Sequence, residues 1–200
     1  MKDSIHKDVI TSFKKTLELF GQANHPDIEL IFPHCRVIRF EVGEYLHEAD
    51  SYSNDVFYIH SGLARVFSIH TEAGKEFNKS FISENQFVTA LQSPVNAVPS
   101  LYHIQALEPL VALVIAKDQL EKLYYQSIYW ANVGRLNMEA LAVRKEKREA
   151  QFLLDSAESR YQQFELDMPH LVDRVPLYHI ASYLGITDVA LSRIRRKRKA

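Results

Sequence analysis

The sequence predicts an α+β chain, an N-terminal antiparallel β-roll of the jelly-roll kind followed by one long helix and a C-terminal helix-turn-helix. Three observations carry this. From Cys35 to about Ile115 the apolar residues come in short or alternating runs broken by turn residues, the pattern of strands. After Ala116 the apolar spacing lengthens to three and four and stays there, the pattern of helices. In the last quarter two short helical faces meet at Gly185, the layout of a helix-turn-helix.

Composition narrows the class. With 200 residues, 46% hydrophobic and 24% charged, the chain has the make-up of an ordinary soluble globular protein. No run approaches the ~20 apolar residues of a membrane span, and the start, Met1 to His6, lacks the apolar core of a secretion signal. Cys35 is the only cysteine, so no internal disulfide forms, and an iron–sulfur cluster would want about four thiolates. A reducing cytoplasm is the expected location. The net charge of −1 conceals an asymmetry. Residues 1–116 hold 9 Lys and Arg against 14 Asp and Glu, whereas residues 117–200 hold 15 against 11. The positive excess falls in the half that would meet nucleic acid.

The first element is an amphipathic helix over 5–20, with Ile5, Val9, Phe13, Leu17 and Phe20 on one face; Gly21 ends it and 24–27 is a loop. Strands are expected at 35–40, 56–60, 64–70, 77–82, 103–106 and 111–115, with breaks at Gly43, Ser61-Gly62, Ala73-Gly74 and from Pro94 to Pro99. Strands at this spacing close into a barrel or roll. A short helix over 118–125 turns Leu120 and Leu123 inward. The long helix then runs over about 127–152. Tyr129, Val133, Leu136, Ala140 and Val143 repeat four-three-four-three, a coiled-coil seam, and form the expected dimer interface. The alternative is a helix packed on its own domain. A neighbouring stripe of Trp130, Gly134, Asn137 and Leu141 would face the β unit. Ser156 caps a further helix to Asp167, which Met168-Pro169 ends. The expected domains are 1–126 for the roll with its leading helix, 127–152 for dimerisation, and 153–200 for the helix-turn-helix.

The helix-turn-helix reading rests on spacing. Leu177, Ile180, Ala181 and Leu184 make one apolar face, Gly185 supplies the positive φ of a tight exit, and Thr187 is a good N-cap. Leu191 and Ile194 of the second helix face inward. Its outward face carries Val189, Ser192, Arg193 and Arg196, which would meet base edges in a major groove, where Arg suits guanine. Arg195, Lys197, Arg198 and Lys199 are expected on phosphates, where they add affinity without sequence information. Six of the seven residues from Arg193 to Lys199 are positive, which favours double-stranded DNA over a solvated tail.

In this order of parts the chain resembles the Crp/Fnr transcription regulators. The run from Val56 to Phe67 is similar to that family's strand–Ser-Gly–strand signature, Ala73-Gly74-Lys75-Glu76 to its next hairpin turn, and Ser83 to Phe87 to the approach to its ligand cassette. Ile180 to Ile194 resembles its recognition motif. The resemblance implies a cytoplasmic homodimer with a cyclic-nucleotide-binding-like domain, binding a pseudo-palindromic DNA site, with RNA polymerase as a further partner and an unidentified small-molecule effector. Carried over by position, Asp188, Val189 and Arg193 lie where such proteins read bases, with Thr187 at the helix start beside them. Two departures bear on the effector. Where nucleotide binders carry Gly-Glu, this chain has Thr89-Ala90; where they carry Arg followed by Ser or Thr, it has Ser100-Leu101. An effector pocket would therefore comprise Thr89, Ala90, Ser100 and Leu101, with Arg65 as the nearby cation, and the chain is not expected to bind cyclic AMP or cyclic GMP. The helix-turn-helix domain is expected to lack the C-terminal wing of many relatives, and Ala49 stands where a turn glycine is usual in the family.

Other chemistries find little support. No His-x-His pair suits a metal held on a jelly-roll strand, and no Gly-rich loop has the spacing of a phosphate cradle. No cofactor, metal or catalytic residue is expected. The alternative function is a small-molecule or metal-dependent enzyme of the cupin kind with helices for oligomerisation. A third is a ligand-binding module whose basic tail meets RNA or an acidic protein.

Overall fold

The computed structural model describes residues 2–21, 24–52, 54–70, 74–91 and 98–199, with backbone alone for 2–5 and 199. Ala73, the break from Pro94 as far as Ala97, and the side chains of Ile5 and Lys199 therefore lie outside the described residues. By contacts the chain forms two units, residues 1–66 with 81–140, and residues 67–80 with 141–200.

The first unit is a β-roll with helices on one side. Its elements in chain order are α1 (Lys2–Leu17), a 3-10 helix (Pro26–His34), β1 (Cys35–Phe40), β2 (Tyr45–His47) and β3 (Asp55–Ser61). Next come β4 (Ala64–His70), β5 (Lys75–Ile82), β6 (Phe87–Val88), β7 (His103–Ala106), β8 (Leu110–Ala116) and α2 (Lys117–Gln126). One sheet has the order β1-β8-β3-β6 and the other β2-β7-β4-β5. Strand β8 explains why so apolar a run, Leu110 to Ala116, sits at the centre. A strand's side chains alternate between faces, and here both faces are buried. Leu110, Ala112 and Val114 enter a core with Phe57, Ile59, Ala64, Val66, Val88, Ile104 and Ala106. Leu113 and Ile115 enter a second core with Val9, Phe13, Leu17, Ile28 and Ile31. The turn between β3 and β4 requires glycine. Gly62 has φ +91°, and a Cβ there would run into the Pro109 carbonyl oxygen.

The expected strands all form. The two that sequence reading passes over, β2 and β6, have three and two residues, too few to show a period. The other addition is the 3-10 helix, which opens on Pro26 and contains Pro33. The positive φ in the turn where Ala49 stands is taken by Asp50 at +59°.

The long helix α3 (Ile128–Leu154) belongs to both units, its residues 128–140 to the first and 141–154 to the second. Tyr129, Trp130 and Val133 are buried in the second core, and the Trp130 indole Nε1 donates to the Asp27 carbonyl at 2.8 Å. The second unit holds the outer part of the β4–β5 hairpin, the rest of α3, α4 (Ala157–Asp167), a short 3-10 turn (Pro169–Leu171), α5 (Leu177–Leu184) and α6 (Asp188–Lys199). The Ser156 hydroxyl caps α4 by accepting from the Ser159 amide at 3.1 Å. Leu177 departs from expectation. It is exposed, and His179 occupies the buried face with Ile180, Ala181 and Leu184.

Candidate nucleic-acid interface

The turn between α5 and α6 is built by its own sequence. Gly185 lies at φ +69°, where its amide donates to the Ser182 carbonyl at 3.1 Å and the Ile186 amide to the Ala181 carbonyl at 3.0 Å. This paired pattern ends a helix when the residue after it turns left-handed. The Thr187 hydroxyl then accepts from the Ala190 amide at 3.2 Å and starts α6. Asp188 opens the helix, where a carboxylate complements the dipole. Leu191 is fully buried and Ile194 half-buried, which leaves Val189, Ser192, Arg193 and Arg196 together on the exposed face with Thr187 and Asp188 beside them.

The basic residues divide into two sets. Arg193 and Arg196 make no ion pair with any described residue. Lys197 instead pairs with Glu158 of α4 at 3.1 Å, and Arg198 pairs with Glu165 of the same helix. Arg198 also lies 5.8 Å from the centre of the Tyr161 ring, whose hydroxyl is pushed up to about 12, first by burial and then by its hydrogen bond to Glu165. One face of α4 thus holds part of the cationic stretch that sequence assigns to phosphates. The β4–β5 hairpin grips the other helix of the motif. The Asn78 amide nitrogen Nδ2 lies 3.0 Å from His179 Nδ1, the Asn78 backbone N–H donates to Ser182 Oγ at 3.0 Å, and that hydroxyl donates to the Glu76 carbonyl at 3.0 Å.

In the roll, Ala90 belongs to the core between the sheets, and the Thr89 hydroxyl donates to the Asp55 carbonyl at 2.8 Å. Ser100 is buried with its hydroxyl accepting from the Tyr102 amide at 3.2 Å, while Leu101 is exposed. Arg65 is buried, but not in the core between the sheets. Ala64 and Val66, its neighbours on β4, lie in that core, so alternation puts Arg65 on the other face, where Nε and Nη2 both donate to Gln105 Oε1 at 2.9 and 2.7 Å. Among the described residues, Lys117 reaches the pocket segment, its Nζ donating to the Ala90 carbonyl at 3.2 Å. Burial lowers its pKa. His47 is buried, its Nε2 meets no hydrogen-bond partner among the described residues, and its pKa is lowered by that burial and then by His103 and Lys117. Among the described residues no three His, Cys, Asp or Glu side chains gather as metal ligands would.

A model of the cyclic nucleotide-binding domain family matches residues 37–127. Solved structures match over most of the chain. FixK2 of Bradyrhizobium japonicum is 17% identical with a TM-score of 0.72, over 82% of this chain and 83% of that one. The c-di-GMP-responsive global regulator CLP of Xanthomonas campestris is 13% identical at 0.67, over 87% and 91%. A structure from Eubacterium rectale assigned to the Crp/Fnr family of transcriptional regulators is 16% identical at 0.68, over 88% and 83%. The chain has the Crp/Fnr fold. No curated protein matches it by sequence, and among the described residues no helix is long and apolar enough to cross a membrane.

Within the Crp/Fnr fold the expected seam divides. Tyr129 and Val133 lie in the core of the first unit, the Tyr129 ring stacked on His25 at 4.6 Å. They are unavailable to a partner, and the seam reading is corrected there. Leu136 is half-buried, and Ala140 and Val143 are exposed, as is Leu154 three seam positions further on. Sequence reasoning missed Lys117 and His47. Lys117 sits 27 residues from its carbonyl partner at the junction of β8 and α2, and no local spacing announces it.

Proposed function

We propose that this chain is a homodimeric, DNA-binding transcription regulator of the Crp/Fnr type. The observation that carries the reading is the exposed face of α6, where Val189, Ser192, Arg193 and Arg196 project together beyond a built helix-turn-helix corner. A helix presented in this way fits a major groove, with Arg193 and Arg196 suited to guanine edges and Thr187 and Asp188 at the end nearest the bases. Dimerisation uses the exposed part of the α3 seam, from Ala140 through Val143 to Leu154, and sets two reading helices about a two-fold axis. RNA polymerase is the partner such a regulator acts on, and the cytoplasm is its place. The roll does not take cyclic AMP or cyclic GMP in the customary way, because Ala90 and Ser100 bring neither the carboxylate nor the guanidinium that would hold the ribose and the phosphate. Similarity to regulators rather than enzymes disfavours a cupin-like activity.

The test is selection of bound duplexes from a random library, followed by affinity measurements over a range of salt. The expected result is a pseudo-palindrome with half-sites about one helical turn apart. Its affinity should fall with salt, as phosphate contacts dictate. Equal binding to every duplex, or none, overturns the reading.

A further inference from the structure

The carbonyls that end α5 are held by two arginines that lie outside the helix-turn-helix. The last carbonyls of a helix lack partners within it, and cations there also meet the negative end of the dipole. Arg148 of α3 donates from Nη2 to the Tyr183 carbonyl at 2.6 Å, and Arg160 of α4 donates from Nε to the Leu184 carbonyl at 3.2 Å. Arg160 Nη1 also donates to the Asp155 carbonyl at 2.8 Å, between α3 and α4.

Both guanidinium groups lie against rings. The Arg148 guanidinium carbon sits 3.7 Å from the centre of the Tyr183 ring and 4.8 Å from that of Phe152; Arg160 lies 5.0 Å from Phe152. The Phe152 ring in turn occupies the space beside Gly185, where an added Cβ would come within 2.8 Å of it. Gly185 is the residue at which the chain turns from α5 into α6. A planar, always charged donor suits such a place better than lysine, because it can bond a carbonyl while lying flat on a ring.

We infer that Arg148 and Arg160 are positioning residues for DNA reading, fixing the α5–α6 corner from outside and so the pitch of α6. They touch no base. This rests on the DNA-binding reading proposed above and deepens it. A positioning role differs from a merely stabilising one in what it moves. Mispitching α6 harms base readout, which needs alignment, more than attraction to phosphates, which does not.

The experiment compares the full-length wild type with Arg148→Ala, Arg160→Ala and Arg148→Lys. The readouts are affinity for the selected duplex, affinity for a scrambled one, the salt slope, and amide hydrogen exchange over residues 185–191. Each alanine variant should lower the specific-to-scrambled ratio by about tenfold, the scale of one lost charged hydrogen bond, with the salt slope unchanged and exchange at 185–191 faster. Arg148→Lys should recover part of the ratio. A ratio unchanged in folded variants, or equal losses on both duplexes, overturns the inference. Should the alanine variants fail to fold, the lysine variant decides, and wild-type exchange at 185–191 in that protein overturns it. A wild type without sequence preference is a different outcome. It sinks the DNA-binding reading, while the exchange data still test the clamp.

Discussion

Arg193 and Lys197 lie one turn apart on α6 in different electrostatic surroundings. Arg193 is exposed and unpaired among the described residues, whereas Lys197 already holds Glu158 at 3.1 Å. Arg193→Ala should therefore cost ~1–3 kcal/mol at one base position and little elsewhere, if it makes a bidentate guanine contact. Lys197→Ala should weaken binding evenly over all sequences. Glu158→Gln should do the opposite, raising affinity on every duplex at low salt and steepening the salt slope, because a freed lysine adds a phosphate contact. Competition assays over a salt series read all three; an Arg193 variant that loses affinity uniformly would mark that residue as a phosphate contact. The run of charges shows in the sequence, but its division does not, since Glu158 and Glu165 are some 35 positions away. Cys35 gives a second test. Burial pushes its thiol up to about 12, and Sγ donates to the Ile31 carbonyl at 3.3 Å. The thiolate is the reactive form, so alkylation at pH 8 should be slow in the native protein and fast once unfolded. The linkage has a sign. Above the unfolded pKa of 9.0 the unfolded chain releases a proton that the native one keeps, so this group's contribution to stability falls from about pH 9 to about 12. Equal alkylation rates in the two states would contradict the burial.

At the scale of the helix, α3 shows what a periodic pattern conveys. The seam spacing is plain in the sequence, and the helix forms. The pattern does not name the surface each half meets, because burial in one's own core and burial against a second copy leave the same apolar stripe. Tyr129 and Val133 lie in the core that also holds residues of α1 and the 3-10 helix, while Val143 and Leu154 are 64% and 83% exposed. Two substitutions separate the halves. Val133→Ala should lower stability by about 2 kcal/mol through a cavity in the core, without altering oligomeric state. Val143→Glu with Leu154→Glu should leave the subunit folded and yield monomers in sedimentation, since large apolar side chains contribute ~1.5–3 kcal/mol each when buried. A double variant still wholly dimeric would move the interface away from this stripe.

Over the whole molecule, the order of roll, long helix and helix-turn-helix is legible because each part has its own period. The proposed effector pocket is less so. It draws on residues far apart in sequence, and the cation nearest the cassette on sequence grounds, Arg65, is buried and forked onto Gln105. Lys117 reaches the Ala90 carbonyl instead, with His47 near it, and burial lowers the pKa of both, so their surroundings disfavour positive charge. That bears on cyclic nucleotides. A buried phosphodiester costs several kcal/mol unless a cation and donors meet it. Here Ala90 offers a methyl in the core, the Ser100 hydroxyl is engaged by the Tyr102 amide, and Lys117 is engaged by the Ala90 carbonyl. Binding through Lys117 would require it to leave that carbonyl. Calorimetry with cyclic AMP and cyclic GMP at millimolar concentration should therefore record no heat, and DNA binding should need neither. A dissociation constant in the micromolar range would overturn this, and loss of that heat in Lys117→Met would then name the lysine as the anion's partner.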